Sequence, residues 1–182
     1  MIIKLKELNE KEIIKKIKKG EIFIYPTDTI YGIGCDATNY KDVKRLRKLK
    51  KSKKPFSIIV SKKWVIKNCF VDKKVEKYLK KLPGPYTFIL KLKNKKAISR
   101  EVNLNSNTIG IRIPKHIFTK IIFKANIPFI TTSCNISGEK YIRSVKEVPE
   151  KFKNNIIIED GLLKGKPSKI VDLTGKIKLI RK

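Results

Sequence analysis

Short apolar runs, each bounded by lysine or by turn residues, alternate along the chain with stretches of helical spacing. Asn9 is placed to cap a helix over Lys11 to Lys19, with Glu12 at its third position and Gly20 as its stop, and Ile22 to Tyr25 follows as a strand. A basic helix is predicted over about Lys41 to Lys50, and Phe56 to Val60 reads as a short apolar strand. Asp72 begins a helix that runs through Lys81, and Tyr86 to Leu92 alternates as a half-buried strand does. Thr108 to Ile113 predicts a strand, Lys115 to Lys124 a helix, and Pro128 to Thr132 a strand again. Ser144 and Glu147 make a capping-box pattern ahead of a short helix, Asn155 to Glu159 is the next strand, and Lys169 to Leu173 and Lys176 to Ile180 flank Gly175 as a closing pair. This order predicts an α/β layered domain.

Composition narrows the picture. No repeat or Gly/Ser/Pro-rich linker divides the sequence, and 182 residues with 41% hydrophobic content suit one core, so a single domain over residues 1–182 is expected. Lysines interrupt every apolar run well short of the roughly 18 residues of a membrane span. The start, Met1-Ile2-Ile3-Lys4, lacks the layout of a secretory signal, which points to the cytoplasm. Cys35, Cys69 and Cys134 form no CxxC pair and read as buried small hydrophobes. His116 is the only histidine, and no GxSxG elbow accompanies it, so neither a zinc site nor a Ser-His-Asp triad is expected. The net charge of +29, from 45 Lys and Arg against 16 Asp and Glu, favours polyanion partners such as nucleotides or tRNA. Equally, an excess of lysine in a sequence crowded with isoleucine and asparagine is what an AT-rich genome produces without selection for binding.

The unusual residues fall in the loops beyond strands, where α/β sheets bind ligands. Pro26-Thr27-Asp28-Thr29 leads to Gly32 and Gly34, offering hydroxyls and close backbone approach to a small polar ligand, or else a turn of the ST type. Residues 48–56 hold five cations and Ser52, a candidate triphosphate clamp or a solvated lysine face. Ser133, Asn135 and Ser137 alternate along an extended segment and so share one side, as in a nucleotide or phosphate site. Neither the P-loop nor the dinucleotide fingerprint is present.

The ordered strings YPTDTIYGIG, KLKKSKKPFSIIV, PGPYTFIL, TIGIRIP, TSCNISG and PSKIVDLTG resemble the YrdC-like threonylcarbamoyl-AMP synthases, whose usual forms are PT(E/D)TxYGLG, KxRxxxxPL, PGPxT, VxxRxP, SANxSG and STVVD. The resemblance spans the whole catalytic domain; longer members carry a further C-terminal domain, which is not expected within these 182 residues. It implies a twisted mixed sheet with flanking helices and a basic concave cleft. It also implies synthesis of threonylcarbamoyl-AMP and pyrophosphate from L-threonine, bicarbonate and ATP with its Mg²⁺, ahead of a tRNA threonylcarbamoyl-transfer machinery. By the same resemblance Thr29, Arg112 and Ser168 bind threonine. Lys48 and Lys50 face the phosphates, with Ser52, Thr108, Ser133, Asn135 and Arg181 also on the ATP side. Lys50 and Lys51 stand where the family has Arg-Pro, so point charges replace a bidentate contact. The family's histidine after the PL pair has no counterpart here, and Cys134 replaces the alanine of SAN. Two other readings stay open: a non-catalytic RNA-binding or ribosome-assembly protein, and a related carbamoyl-transfer module.

Overall fold

The computed structural model describes residues Met1–Lys182. Ten strands form one mixed sheet: β1 (Ile2–Lys4), β2 (Phe23–Tyr25), β3 (Gly32–Gly34), β4 (Ser57–Ile59), β5 (Tyr86–Lys91), β6 (Thr108–Arg112), β7 (Phe129–Ser133), β8 (Ile156–Glu159), β9 (Lys169–Asp172) and β10 (Lys178–Arg181). Their order across the sheet is β1-β8-β2-β3-β7-β4-β6-β5-β9-β10. The helices are α1 (Glu10–Lys18), α2 (Tyr40–Lys50), α3 (Lys62–Asn68), α4 (Lys73–Leu79), α5 (Arg100–Asn103) and α6 (Ile117–Ala125).

The predicted caps hold. Asn9 accepts from the Glu12 amide, and Asp72 from the Val75 amide. Ser144 caps only a 3-10 turn, Val145–Glu147, in place of the expected helix. Four elements were not predicted: β1, β3, α3 and α5. In β3, Gly32 and Gly34 were expected to admit a ligand, and Gly34 instead admits the neighbouring strand. A Cβ there would lie 1.7 Å from the Ile130 carbonyl oxygen.

The two faces of the sheet explain where a site can form. Ile58, Ile111, Ile130 and Phe88 point to one face, where they join a core with Val43 and Leu46 of α2, Val65 of α3 and Val75 and Leu79 of α4. On the other face, Tyr25, Ile59 and Phe129 are buried beneath Ile13 and Ile17 of α1 and Phe118 and Ile122 of α6. That second face changes character along its strands. Phe129 is followed two positions on by Thr131 and then Ser133, and Ile59 is preceded by Ser57, so the same face becomes polar as it leaves the shelter of α1 and α6.

Strand register carries the polar strip across the sheet. Gly32 pairs with Ser133, Thr131 with Ser57, Ser57 with Gly110, Arg112 with Thr87, Thr87 with Ile170, and Ile170 with Arg181 beside a bulge. Opposed residues share a face, as do residues two apart on a strand. The floor of a cleft is thus assembled from seven adjacent strands. Gly110 keeps it open, because a Cβ at that position would meet Ser57 Oγ at 2.4 Å.

Candidate functional site

Above this floor lies a cleft of about 510 Å³, within the range of small-molecule sites. Its lining includes four cations, Lys50, Lys54, Arg112 and Arg181, and one carboxylate, Glu139, amid a majority of hydroxyl and backbone groups. The predicted loops converge here: the turn after β2, the segment after α2 and the segment after β7 all contribute.

Arg112 ends β6, 8% exposed. Its Nη2 donates to Thr29 Oγ1 at 2.6 Å, Asp28 Oδ1 at 2.9 Å and Thr27 Oγ1 at 3.3 Å. Thr27 also closes its own turn, accepting from the Thr29 and Ile30 amides and donating to the Ile30 carbonyl at 2.6 Å. Both readings of this segment are therefore present at once, an ST turn and a polar site. Thr27's single proton goes to Ile30, which leaves the Thr29 hydroxyl to donate its own to Thr27 across 3.0 Å. Thr29 is buried, its hydroxyl engaged by Thr27 and Arg112, and Thr27 is the turn hydroxyl that lines the cleft. Thr29, expected beside threonine, thus stands behind Thr27 and outside the cleft lining.

Ser168, 2% exposed, lines the cleft ahead of β9. Its hydroxyl lies 2.8 Å from Thr87 Oγ1, and Arg181 grips it twice, Nη2 donating to the hydroxyl at 3.2 Å and Nε to the carbonyl at 2.9 Å. Burial, reinforced by the charge of Arg112, lowers the Arg181 pKa from its ordinary value.

Lys50 is the last residue of α2 and 3% exposed. Its ammonium donates to the carbonyls of Ser133 at 2.5 Å and Asn135 at 2.6 Å, with Asn135 Oδ1 at 3.4 Å. Ser133 Oγ in turn donates to Asn135 Oδ1 at 2.6 Å. Lys50 thus spends its protons on the loop that follows β7, which holds Ser133, Asn135 and Ser137 on the cleft wall as their alternation predicted. Burial pulls the Lys50 pKa down to about 8 from 10.5. Lys51 adopts a left-handed conformation at φ 51°, turning the chain so that Ser52 reaches the cleft.

Two predicted residues lie elsewhere. Lys48 is exposed and does not line the cleft, because two positions on a helix amount to a rotation of roughly 200° from Lys50. Thr108 begins β6, opposite Lys91, and bonds Ser106 Oγ at 2.9 Å; it sits roughly 13 Å along the strand from Arg112. His116 caps α6, accepting from the Phe118 amide, with Asp160 2.9 Å from its Nε2. The three cysteines are buried as expected, and desolvation pushes the thiols of Cys69 and Cys134 up to about 12.

Sequence reasoning missed Ser57, Thr87, Thr131, Tyr31 and Glu139. The first three stand in strands, where alternation combined with strand order would have found them. Tyr31 donates to the Gly161 carbonyl and accepts from the Asp160 amide, both at 2.9 Å, and so fastens the connection between β8 and β9 beside the cleft.

No helix is long and apolar enough to cross a membrane. Among known proteins, the family profile described as Sua5/yciO/yrdC, telomere recombination, matches residues 15–182. A Methanocaldococcus jannaschii relative that carries the provisional name of a threonylcarbamoyl-AMP synthase is 37% identical, covering 94% of this chain and 87% of its own. The threonylcarbamoyl-AMP synthase of Pseudoalteromonas atlantica is 35% identical over 83% of this chain and 85% of its own. The structure of P. abyssi Sua5 complexed with L-threonine superposes with a TM-score of 0.90 at 28% identity; the match takes in all of this chain and 57% of that longer protein. Fold and sequence agree, and the chain belongs to the Sua5/YciO/YrdC family.

Proposed function

We infer that this chain is an L-threonylcarbamoyladenylate synthase, which makes threonylcarbamoyl-AMP and pyrophosphate from L-threonine, bicarbonate or CO2, and ATP. The observation that carries this reading is the meeting, in one cleft, of a buried arginine suited to a carboxylate and a lysine-braced Ser133–Asn135 loop suited to a nucleotide. A purely electrostatic RNA binder has no use for such an enclosed, hydroxyl-rich pocket.

In this reading the threonine carboxylate lies against Arg112, near the Ser168–Thr87 hydroxyl pair. The threonine amine nitrogen forms a bond to the one-carbon acid's carbon, losing a proton when that is CO2, or losing a proton that departs with the bicarbonate hydroxyl as water, and so gives a carbamate. A carbamate oxygen then attacks the α-phosphorus of ATP, and the bond to pyrophosphate breaks. No side-chain nucleophile is required. The protein holds the reactants in register and places Lys50, Lys54 and Arg181 around negative charge. Mg²⁺ enters with ATP as part of the substrate. A lining with Glu139 as its one carboxylate suits an ion held mainly by phosphate oxygens and water. The adenylate passes to the cytoplasmic machinery that modifies tRNA at position 37, and the +29 charge supports weak, salt-sensitive association with RNA.

Pyrophosphate release tests the reading. It should require threonine and bicarbonate together; release independent of threonine would point to a carbamoyl-transfer module, and none under any condition to a non-catalytic protein.

A further inference from the structure

We propose that Asp28 is a positioning residue for threonine recognition: its carboxylate anchors one side of Arg112 so that the opposite guanidinium nitrogen is offered to the substrate carboxylate. The inference rests on the synthase reading and deepens it. All three bonds from Arg112 leave through a single nitrogen, Nη2. Its Nε is buried without a partner, whereas Nη1 makes no bond within the protein and is not sealed off, while the side chain lines the cleft. Asp28 uses only Oδ1; its Oδ2 is buried and engages nothing. Asp28 therefore holds the guanidinium from its Nη2 side alone, and Nη1 is left for the cleft.

Of the three anchors, Thr27 and Thr29 are neutral hydroxyls already committed to each other and to the turn. Asp28 supplies the charge-assisted bond, at 2.9 Å between side chains that are 9% and 12% exposed, so salt screens it little. Without it, a long side chain held by two hydroxyls gains freedom to swing, and the ordering needed to meet the substrate falls on binding itself.

Calorimetric titration of folded variants, checked by thermal melts, tests the assignment. Asp28→Ala should weaken threonine at least tenfold and leave a non-hydrolysable ATP analogue within twofold. The threonine KM should rise while kcat at saturating threonine changes less than threefold, and Asp28→Glu should restore affinity to within threefold. In an Arg112→Lys background, Asp28→Ala should add less than twofold, because its effect runs through the guanidinium. Should Asp28→Ala fail to fold, Asp28→Asn keeps the oxygen that faces Arg112 and removes the charge, and a loss of at least threefold in threonine affinity is expected. Wild-type affinity in these variants, equal losses for threonine and ATP, or an undiminished effect in the Arg112→Lys background would overturn the inference alone. A wild-type protein that binds no threonine would overturn the synthase reading and this inference with it.

Discussion

Replacing Lys50 by methionine separates a binding role from a folding role. Burial lowers the lysine pKa from 10.5 to about 8. At roughly 1.4 kcal/mol per pH unit, keeping the ammonium charged at neutral pH costs the folded state about 3 kcal/mol. Against this stand two short bonds to the carbonyls of Ser133 and Asn135. Charge-assisted hydrogen bonds contribute about 1.5–3 kcal/mol each, so the two effects nearly offset, and Lys50→Met should change folding stability by no more than about 3 kcal/mol. The loop beyond β7 would nevertheless lose its brace. ATP-analogue affinity, measured by calorimetry, should fall at least tenfold, or about 1.4 kcal/mol. Lys48→Ala, exposed on the same helix, should alter neither quantity. The reasoning is refuted if Lys50→Met binds ATP within twofold of wild type, or if Lys48→Ala weakens ATP as much as Lys50→Met does.

The same lysine sets a pH dependence: its ammonium is complete below about 8 and lost above it, so nucleotide affinity should decline between pH 7 and 9 in the wild type and stay flat in Lys50→Met. Its contribution to stability runs the other way, because between about 8 and 10.5 the unfolded chain holds the extra proton; denaturant midpoints should show stability from this group rising across that window, and falling to its lowest as pH drops through 8. Arg112→Ala should weaken threonine by about 2 kcal/mol or more while sparing ATP, read by paired titrations. Gly34→Ala would drive a Cβ into the Ile130 carbonyl and should lower stability by about 3 kcal/mol or more, seen as a melting-temperature drop of roughly 6–12 °C.

The parts of the site legible in the sequence are the short strings beyond strand ends, where hydroxyls, glycines and charges stand out against apolar strands. Lys50, Ser52, Ser133 and Asn135 stood out that way, whereas Arg112, Ser168 and Arg181 were pointed to only by the family resemblance, and all seven line the cleft. Lys48 and Thr108 were misplaced because a motif gives proximity in sequence, and direction depends on helix rotation and strand length. Thr29 stands just behind the cleft lining, tied to Thr27 and Arg112. Thr87 and Ser57 look ordinary within their strands; only the order β7-β4-β6-β5-β9 brings them together. The strand β3 escaped notice because its glycines were read as a ligand-facing turn, whereas Gly34 is needed for close approach between strands and Gly32 alone lines the cleft. The helix α3 was hidden by its seven residues, too few to show a clear period beside the flanking lysines.

The central claim is that one chain joins threonine, a one-carbon acid and the α-phosphate of ATP without help from RNA. Incubating the purified protein with ATP, Mg²⁺, L-threonine and ¹³C-bicarbonate, with nucleic acid removed, and analysing the products by mass spectrometry tests this directly. An AMP adduct carrying threonine and one ¹³C atom, formed alongside pyrophosphate and absent when threonine or bicarbonate is omitted, is the predicted result. An adduct without the label, one that forms only after tRNA is added, or none at all from a folded protein that binds ATP would contradict the account.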